Sequence, residues 1–368
     1  MLSQHYKSVF TVDNGIMPFS PQLVPPNSLN TFNITENDIV KAVHKMNGQS
    51  SPGCDDIVPK FIKNVYPYLI RPLYKLFGMS LGSGQIPLDW KQGIIVPIYK
   101  KNGNPSSTSS YRPICLTSCV AKLLEKIVYD NILNHLNHYD ILSKDQHGFL
   151  KQKSTITNLM QCTYDWTKAL NDQKPVDALY IDFEKAFDKV SHEKLLFKMS
   201  KLGIGGVVYE WLENFLCNRP QAVRVGNNYS ALQIATSGVA QGTLLGPLAF
   251  LLYINDMSNC VQTNSSTIRL FADDTKLYAI NPTTDDCFRF YDDILSLHEW
   301  CEEWQVKMNY SKCNVLHLGP RNLNMPYRIE NVLIPDVRSC RDLGVIISRN
   351  CKFEEHCRNI SRNGHFKC

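Results

Sequence analysis

"PVDALYIDFEKAFD", residues 175–188, is where the pattern of the chain changes from helical to extended. Val176, Ala178, Tyr180 and Asp182 would share one face of a strand and Leu179 and Ile181 the other. Both faces therefore look buried until Asp182 ends the run, as in a strand inside a sheet covered on both sides. The end of such a strand is a place where a rigid scaffold can hold a carboxylate in position.

Outward from this strand, helical spacing of apolar residues predicts helices over 36–47, 120–138 and from Ser154 onward, the last with Ile156, Leu159, Met160, Thr163 and Trp166 as its apolar face. Downstream, short helices are expected at 191–202 and 206–216, a hairpin near 221–236 and a helix from about 245. A second hairpin at 267–280, a long amphipathic helix at 288–306 and short strands near 313–318, 327–334 and 343–348 follow. Residues 1–33, rich in Pro, Asn and Ser, read as irregular. This order of strand, helices, hairpin, helix and strand predicts a small antiparallel sheet backed by helices, an α+β arrangement.

Composition narrows the class. With 368 residues, 43% hydrophobic and 20% charged, the chain suits two or three globular subdomains. Its longest apolar runs, such as "PLAFLLYI" at 247–254, fall short of the about 20 residues that a membrane helix needs, and no secretory leader pattern opens the chain. Thirteen scattered cysteines without a C-x-x-C pair point to reduced thiols and an intracellular setting. From Trp304 onward the chain carries a net charge of +6 and everything before it sums to −1, so a phosphate-contacting surface is expected in the C-terminal part.

The expected sheet would bring Asp182 together with Asp273 and Asp274, which sit in "LFADDTKLYA" (270–279) at the tip of the second hairpin. Alone, the Asp pair reads as an ordinary turn. Three converging carboxylates repel one another unless a cation neutralises them, and hard oxygen ligands without His or Cys favour Mg²⁺.

"ALYIDFEKAFDKVSHEKLL" (178–196), "SGVAQGTLLGPLAFLLYINDM" (237–257) and "RLFADDTKLY" (269–278) resemble, in sequence and order, core blocks of the reverse transcriptases of non-LTR (LINE-type) retrotransposons. "SPGCDDIVPKFIKN" (51–64), "WKQGIIVPIYKKNGNPSSTSSYRPICLTSCVAKLLEKIV" (90–128) and "DQHGFLKQKSTITNL" (145–159) look like that family's finger blocks. "WCEEWQVKMNYSKCNVLHLG" (300–319) and "CRDLGVIIS" (340–348) look like its late palm blocks, so the resemblance spans roughly residues 36–360.

The resemblance implies a right-hand polymerase: a linker over 1–35, fingers of helices and strands over 36–175, a ferredoxin-like palm over 176–348, and the start of a largely missing thumb over 349–368. It implies an RNA-directed DNA polymerase that extends a DNA primer with dNTPs on an RNA template, with no membrane partner, in a nuclear or cytoplasmic ribonucleoprotein. Two Mg²⁺ ions, replaceable by Mn²⁺, would be held by Asp182 and Asp273, with Asp274 beside them and the carbonyl of Phe183 completing one coordination shell. Phe187 would lie under the sugar of the incoming nucleotide and exclude a 2′-hydroxyl. Gln241 and Gly242 would approach the nucleotide or template base. Arg112 and either Lys100 or Lys101 would contact the triphosphate, and Lys312 would protonate the leaving pyrophosphate. Two other readings stand beside this one. An inactive nucleic-acid-binding remnant is one; an RNA-directed RNA polymerase is the other, opposed by Phe187 and by Ala272 where that group usually has Gly.

Overall fold

The run Val176–Ile181 forms a strand whose six residues are all buried. Both of its edges are paired: antiparallel to Asp274–Ile280 on one side and to Asn314–Leu318 on the other. Ser266–Phe271 extends the sheet beyond Asp274–Ile280 and gives a four-stranded antiparallel order with Val176–Ile181 as an inner strand. The computed structural model describes residues 1–19, 25–101, 103–261 and 266–365.

The chain packs as two compact units, each drawn from two stretches of sequence: Met1–Leu142 with Phe187–Tyr253, and Ser143–Ala186 with Ile254–Cys368. The four-stranded sheet belongs to the second unit. The helix Thr155–Asn171 starts on a capping box at Ser154, where the Ser154 hydroxyl and the Thr157 side chain satisfy each other's backbone N–H groups. It lays Cys162, Trp166 and Ala169 on a cluster of Val176, Ala178, Tyr180, Tyr278, Leu316, Leu318 and Ile347. The expected face of this helix is thus only partly the buried one. Trp166 is buried, but Ile156 and Met160 are 65% and 64% exposed, because the sheet selects the stripe through Cys162 and Ala169.

On the other face of the sheet, Asp177 is fully buried and accepts from His317 Nδ1 at 2.6 Å, Asn322 Nδ2 at 2.7 Å, Asn281 Nδ2 at 3.0 Å and the Tyr327 hydroxyl. Burial would raise this carboxyl, but the hydrogen bonds from His317, Tyr327 and Asn322 hold it below its usual range. Tyr327 in turn packs edge-on against Phe290 of the helix Thr284–Glu303, which begins on a second capping box between Thr283 and Asp286.

The first unit is built on five strands. Gly93–Tyr99 pairs antiparallel with Tyr111–Leu116 and parallel with Arg219–Val225, which also pairs with Asn228–Tyr229 and Gln233–Ala235. Helices Glu36–Lys45, Cys119–His138, His192–Lys201, Gly206–Leu216 and Leu245–Tyr253 lie where the spacing predicts them. The N-terminal stretch departs from its irregular reading. Leu2–Ser8 is helical because Tyr6 is buried in a cluster with Ile95, Cys115 and Val223. Helix Pro59–Ser83 runs through Pro67 and Pro72, residues that ordinarily break helices, and is held by burial of Ile62, Leu73, Phe77 and Leu81.

The α+β class expected from the order of elements is what the two units show. Among the described residues no helix is long and apolar enough to cross a membrane.

Candidate active site

In the second unit, Tyr180 pairs with Lys276 and Ile181 with Thr275. One step further along the same antiparallel register sets Asp182 opposite Asp274. Directly opposed residues point to the same face, so both carboxylates stand on the face that carries Tyr180 and Lys276. Phe271 pairs with Asp274, which leaves Ala272 and Asp273 as the two turn residues of the hairpin. Ala272 adopts φ +53°, the positive angle that a tight hairpin turn demands at its first central position.

The charges converge here. Asp274, although exposed at the turn, is pushed up to about 6: its crowded surroundings reduce hydration, and the negative charges of Asp273, Asp342 and Asp182 add to the effect. Lys312 answers part of this charge, with Nζ 3.5 Å from Asp182 Oδ1. Both groups are substantially solvated, so this pair orders the site more than it stabilises the fold. Beneath them Lys276 and Asp342 form a buried pair at 2.7 and 2.9 Å, and burial raises the Asp342 carboxyl against the opposing pull of Lys276.

The loop after the central strand is latched in place. Asn309 N donates to Asp182 O at 2.8 Å and Glu184 N to Lys307 O at 2.9 Å, around a bridge between Phe183 and Met308. Those two bonds run through Asp182 and Glu184, not through the Phe183 carbonyl. Among the described residues no group of three or more His, Cys, Asp or Glu side chains is drawn tightly enough to hold a metal ion.

The segment 145–148 lies along the outer strand of the hairpin. His147 N donates to Leu270 O at 2.8 Å, and Leu270 N to Asp145 O at 3.0 Å. Arg269 Nη1 reaches Asp145 Oδ1 at 2.5 Å. The His147 ring is buried between Thr157 Oγ1 at 2.8 Å and Gln161 Oε1 at 3.1 Å. Burial, with Lys153 nearby, lowers it to about 4 from 6.5. An unfolded chain takes up this proton at a higher pH than the folded one, so His147 adds stability above pH 6.5 that is lost as pH falls toward 4. Thermal melts of wild type and His147→Gln over that window should therefore converge as the pH drops. A constant difference would show that folding does not lower the His147 pKa.

The other candidate residues belong to the first unit. Lys100, Lys101 and Arg112 sit on the hairpin Gly93–Tyr99/Tyr111–Leu116, and Lys101 and Arg112 are exposed. Lys100 Nζ donates to Ser109 O at 2.8 Å. Gln241 O accepts from Cys115 N at 2.6 Å on the same strand as Arg112. Gly242 has φ +113°, and a Cβ there would lie 2.5 Å from the Cys115 carbonyl oxygen, so close approach of the protein's own backbone already requires glycine. Glu125, buried, accepts from Leu244 N at 2.9 Å and so anchors the chain entering the next helix. Phe187 stacks on Phe250 with ring centroids 4.3 Å apart, and its carbonyl accepts from Val239 N at 2.8 Å.

Residues 98–347 match the family model described as "Reverse transcriptase (RNA-dependent DNA polymerase)". The chain belongs to the reverse transcriptase family. It is 28% identical over 340 residues to a probable RNA-directed DNA polymerase from transposon BS of Drosophila melanogaster, covering 89% of this chain and 37% of that protein. It is 26% identical over 339 residues to the RNA-directed DNA polymerase from mobile element jockey of the same fly, with the same coverage. A Pol polyprotein from the type-1 retrotransposable element R1 of Bradysia coprophila is 25% identical, over 87% of this chain and 32% of its own length. The chain thus spans about 37% of the length of the first curated relatives it matches. The resemblance to non-LTR retrotransposon enzymes is borne out.

Within this chain, Gln146, Gly148 and the Lys276–Asp342 pair support the carboxylate face and carry no signal in composition or periodicity. "DQHGF" was legible only as a finger block, whereas packing sets it against the hairpin that holds Asp273.

Proposed function

We propose that this chain polymerises DNA on an RNA template, extending the 3′-hydroxyl of a DNA primer with dNTPs as part of retrotransposition. The observation that carries the reading is the set of Asp182, Asp273 and Asp274 at the end of a fully buried strand in a reverse-transcriptase chain, crowded enough to push Asp274 up to about 6. A donor set of carboxylate oxygens whose mutual repulsion Lys312 offsets only in part suits hard divalent cations. Asp182, Asp273, Asp274 and the Phe183 carbonyl would hold two Mg²⁺ ions, or Mn²⁺ in their place, which supply positive charge at the attacking and leaving oxygens.

The protein's own groups do the rest. Lys312, close to Asp182, holds a proton for the departing pyrophosphate. Arg112 and one of Lys100 and Lys101 bind the triphosphate, Arg112 as a planar fork and the lysine as a point charge. Gln241 offers an amide to a base or sugar edge. In this reading 36–175 act as fingers and 176–348 as palm, a functional division that cuts across the two packed units. An RNA template places this work in an intracellular ribonucleoprotein.

Primer extension on a poly(rA) template with a DNA primer tests the reading, with dNTP and rNTP arms. Products from dNTPs are expected. A folded chain that makes none would mark it as an inactive nucleic-acid binder, and products from rNTPs alone would make it an RNA-directed RNA polymerase.

Phe187 allows a sharper test. As the sugar gate, its replacement in Phe187→Ala relieves a steric clash and raises ribonucleotide relative to deoxyribonucleotide incorporation. As a packing residue stacked on Phe250, it predicts a loss of about 3–5 kcal/mol of stability with the ratio unchanged. The incorporation ratio and Tm together decide between them, and an unchanged ratio in a folded variant refutes the gate.

A further inference from the structure

The turn that carries Asp273 is held from below by one buried amide. Gln146 is 4% exposed, and its Oε1 accepts from Ala272 N at 2.9 Å and from Gly148 N at 2.6 Å. Two backbone N–H donors on the same atom identify it as the amide oxygen. The backbone around Gln146 is itself fixed, through its bridge to Leu270 and through Asn158 Nδ2, which donates to Leu270 O at 3.1 Å. Space is equally constrained: a Cβ on Gly148 would lie 2.4 Å from Ala272 N. Ala272 is buried, with φ +53°, a backbone angle that alanine adopts only when its surroundings impose it.

We propose that Gln146 is a positioning residue for the carboxylate-bearing turn. Its neutral oxygen satisfies the Ala272 N–H, holds the positive φ, and thereby sets where Asp273 and Asp274 stand relative to Asp182. A glutamate would make the same bonds but add a charge beside three carboxylates; a residue without an acceptor would leave a buried N–H that relaxes by moving the turn. Gln146 Nε2, buried and without a hydrogen-bond partner among the described residues, shows that the amide is placed for its oxygen. The catalytic consequence rests on the polymerase reading above; the hold on the turn does not.

The test measures amide exchange at Ala272, which needs no activity, beside single-nucleotide kinetics. In Gln146→Met, which keeps the volume and removes the acceptor, protection of Ala272 should fall at least about tenfold while that of Leu277 in mid-strand stays as in the wild type. The kcat should fall at least about tenfold with KM for the nucleotide within about threefold, the pattern of lost alignment rather than lost binding. Gln146→Glu should restore the protection and polymerise faster than Gln146→Met. Ile294→Val, a buried change elsewhere in the unit, controls for stability and should keep its rate at a comparable Tm. Unchanged Ala272 protection in Gln146→Met overturns the proposal, as does lost protection with wild-type kcat, or an equal loss of rate in Ile294→Val. If the wild type makes no product, the polymerase reading fails, while the exchange measurement still decides whether Gln146 holds the turn.

Discussion

Asp273→Asn is expected to abolish primer extension, by at least about a thousandfold, while Tm stays within about 2 °C of the wild type. A ligand lost from a clamped pair of cations removes several kcal/mol of transition-state stabilisation, and each ~1.4 kcal/mol is tenfold in rate. Asp273 occupies a two-residue turn, and its charge raises the Asp274 carboxyl. Removing one of several mutually repelling charges offsets what the turn loses. Single-turnover extension across Mg²⁺ and Mn²⁺ titrations, with a thermal melt of the same preparation, checks both halves. Extension by Asp273→Asn at the wild-type rate would sink the assignment of this turn to the chemistry.

Asp342→Ala is expected to be the costliest single change for stability. Lys276 and Asp342 are 3% and 4% exposed in their side chains, and the Tyr180 hydroxyl lies 3.4 Å from Asp342 Oδ2. Removing the carboxylate leaves a buried ammonium without its partner, a loss of about 3–5 kcal/mol. At about 2–4 °C per kcal/mol, the transition of the second unit should drop by roughly 10 °C. The pair costs its own desolvation to bury, so replacing both partners, Lys276→Met with Asp342→Leu, should recover much of the loss. A double variant no more stable than Asp342→Ala would show that the two charges are not coupled. Because Tyr180 and Lys276 adjoin Asp182 and Asp274 along the sheet, Asp342→Ala should also depress polymerisation.

Elements whose signals are local were legible in the residues. The helical spacing that follows Ser154, the apolar stripe Leu123, Leu124, Ile127, Val128, Leu133 and Leu136, and the run before Asp182 whose two faces look buried each encode their structure within a few turns or one strand. The convergence of Asp182 with the Asp273–Asp274 turn was also foreseeable, since a buried strand and a hairpin of matching length must pair to satisfy their backbones. The family was legible for another reason, the order of many blocks along one chain.

What the sequence by itself determined, then, is most of the helices, the strands of the carboxylate-bearing sheet, the α+β class, the carboxylate set and the family. Only the tertiary structure decided which face of Thr155–Asn171 is buried, that Pro59–Ser83 is helical through two prolines, and that Leu2–Ser8 is ordered at all. The same holds for the brace of Gln146 on Ala272 and for the buried Lys276–Asp342 pair, whose partners lie 126 and 66 residues apart. The physical reason is common to all five. Propensity and periodicity act over a few residues and are worth tenths of a kcal/mol each, whereas burial of a side chain or satisfaction of a buried polar group is worth several times more. That larger contribution depends on what the rest of the chain brings to the spot, which no local pattern records.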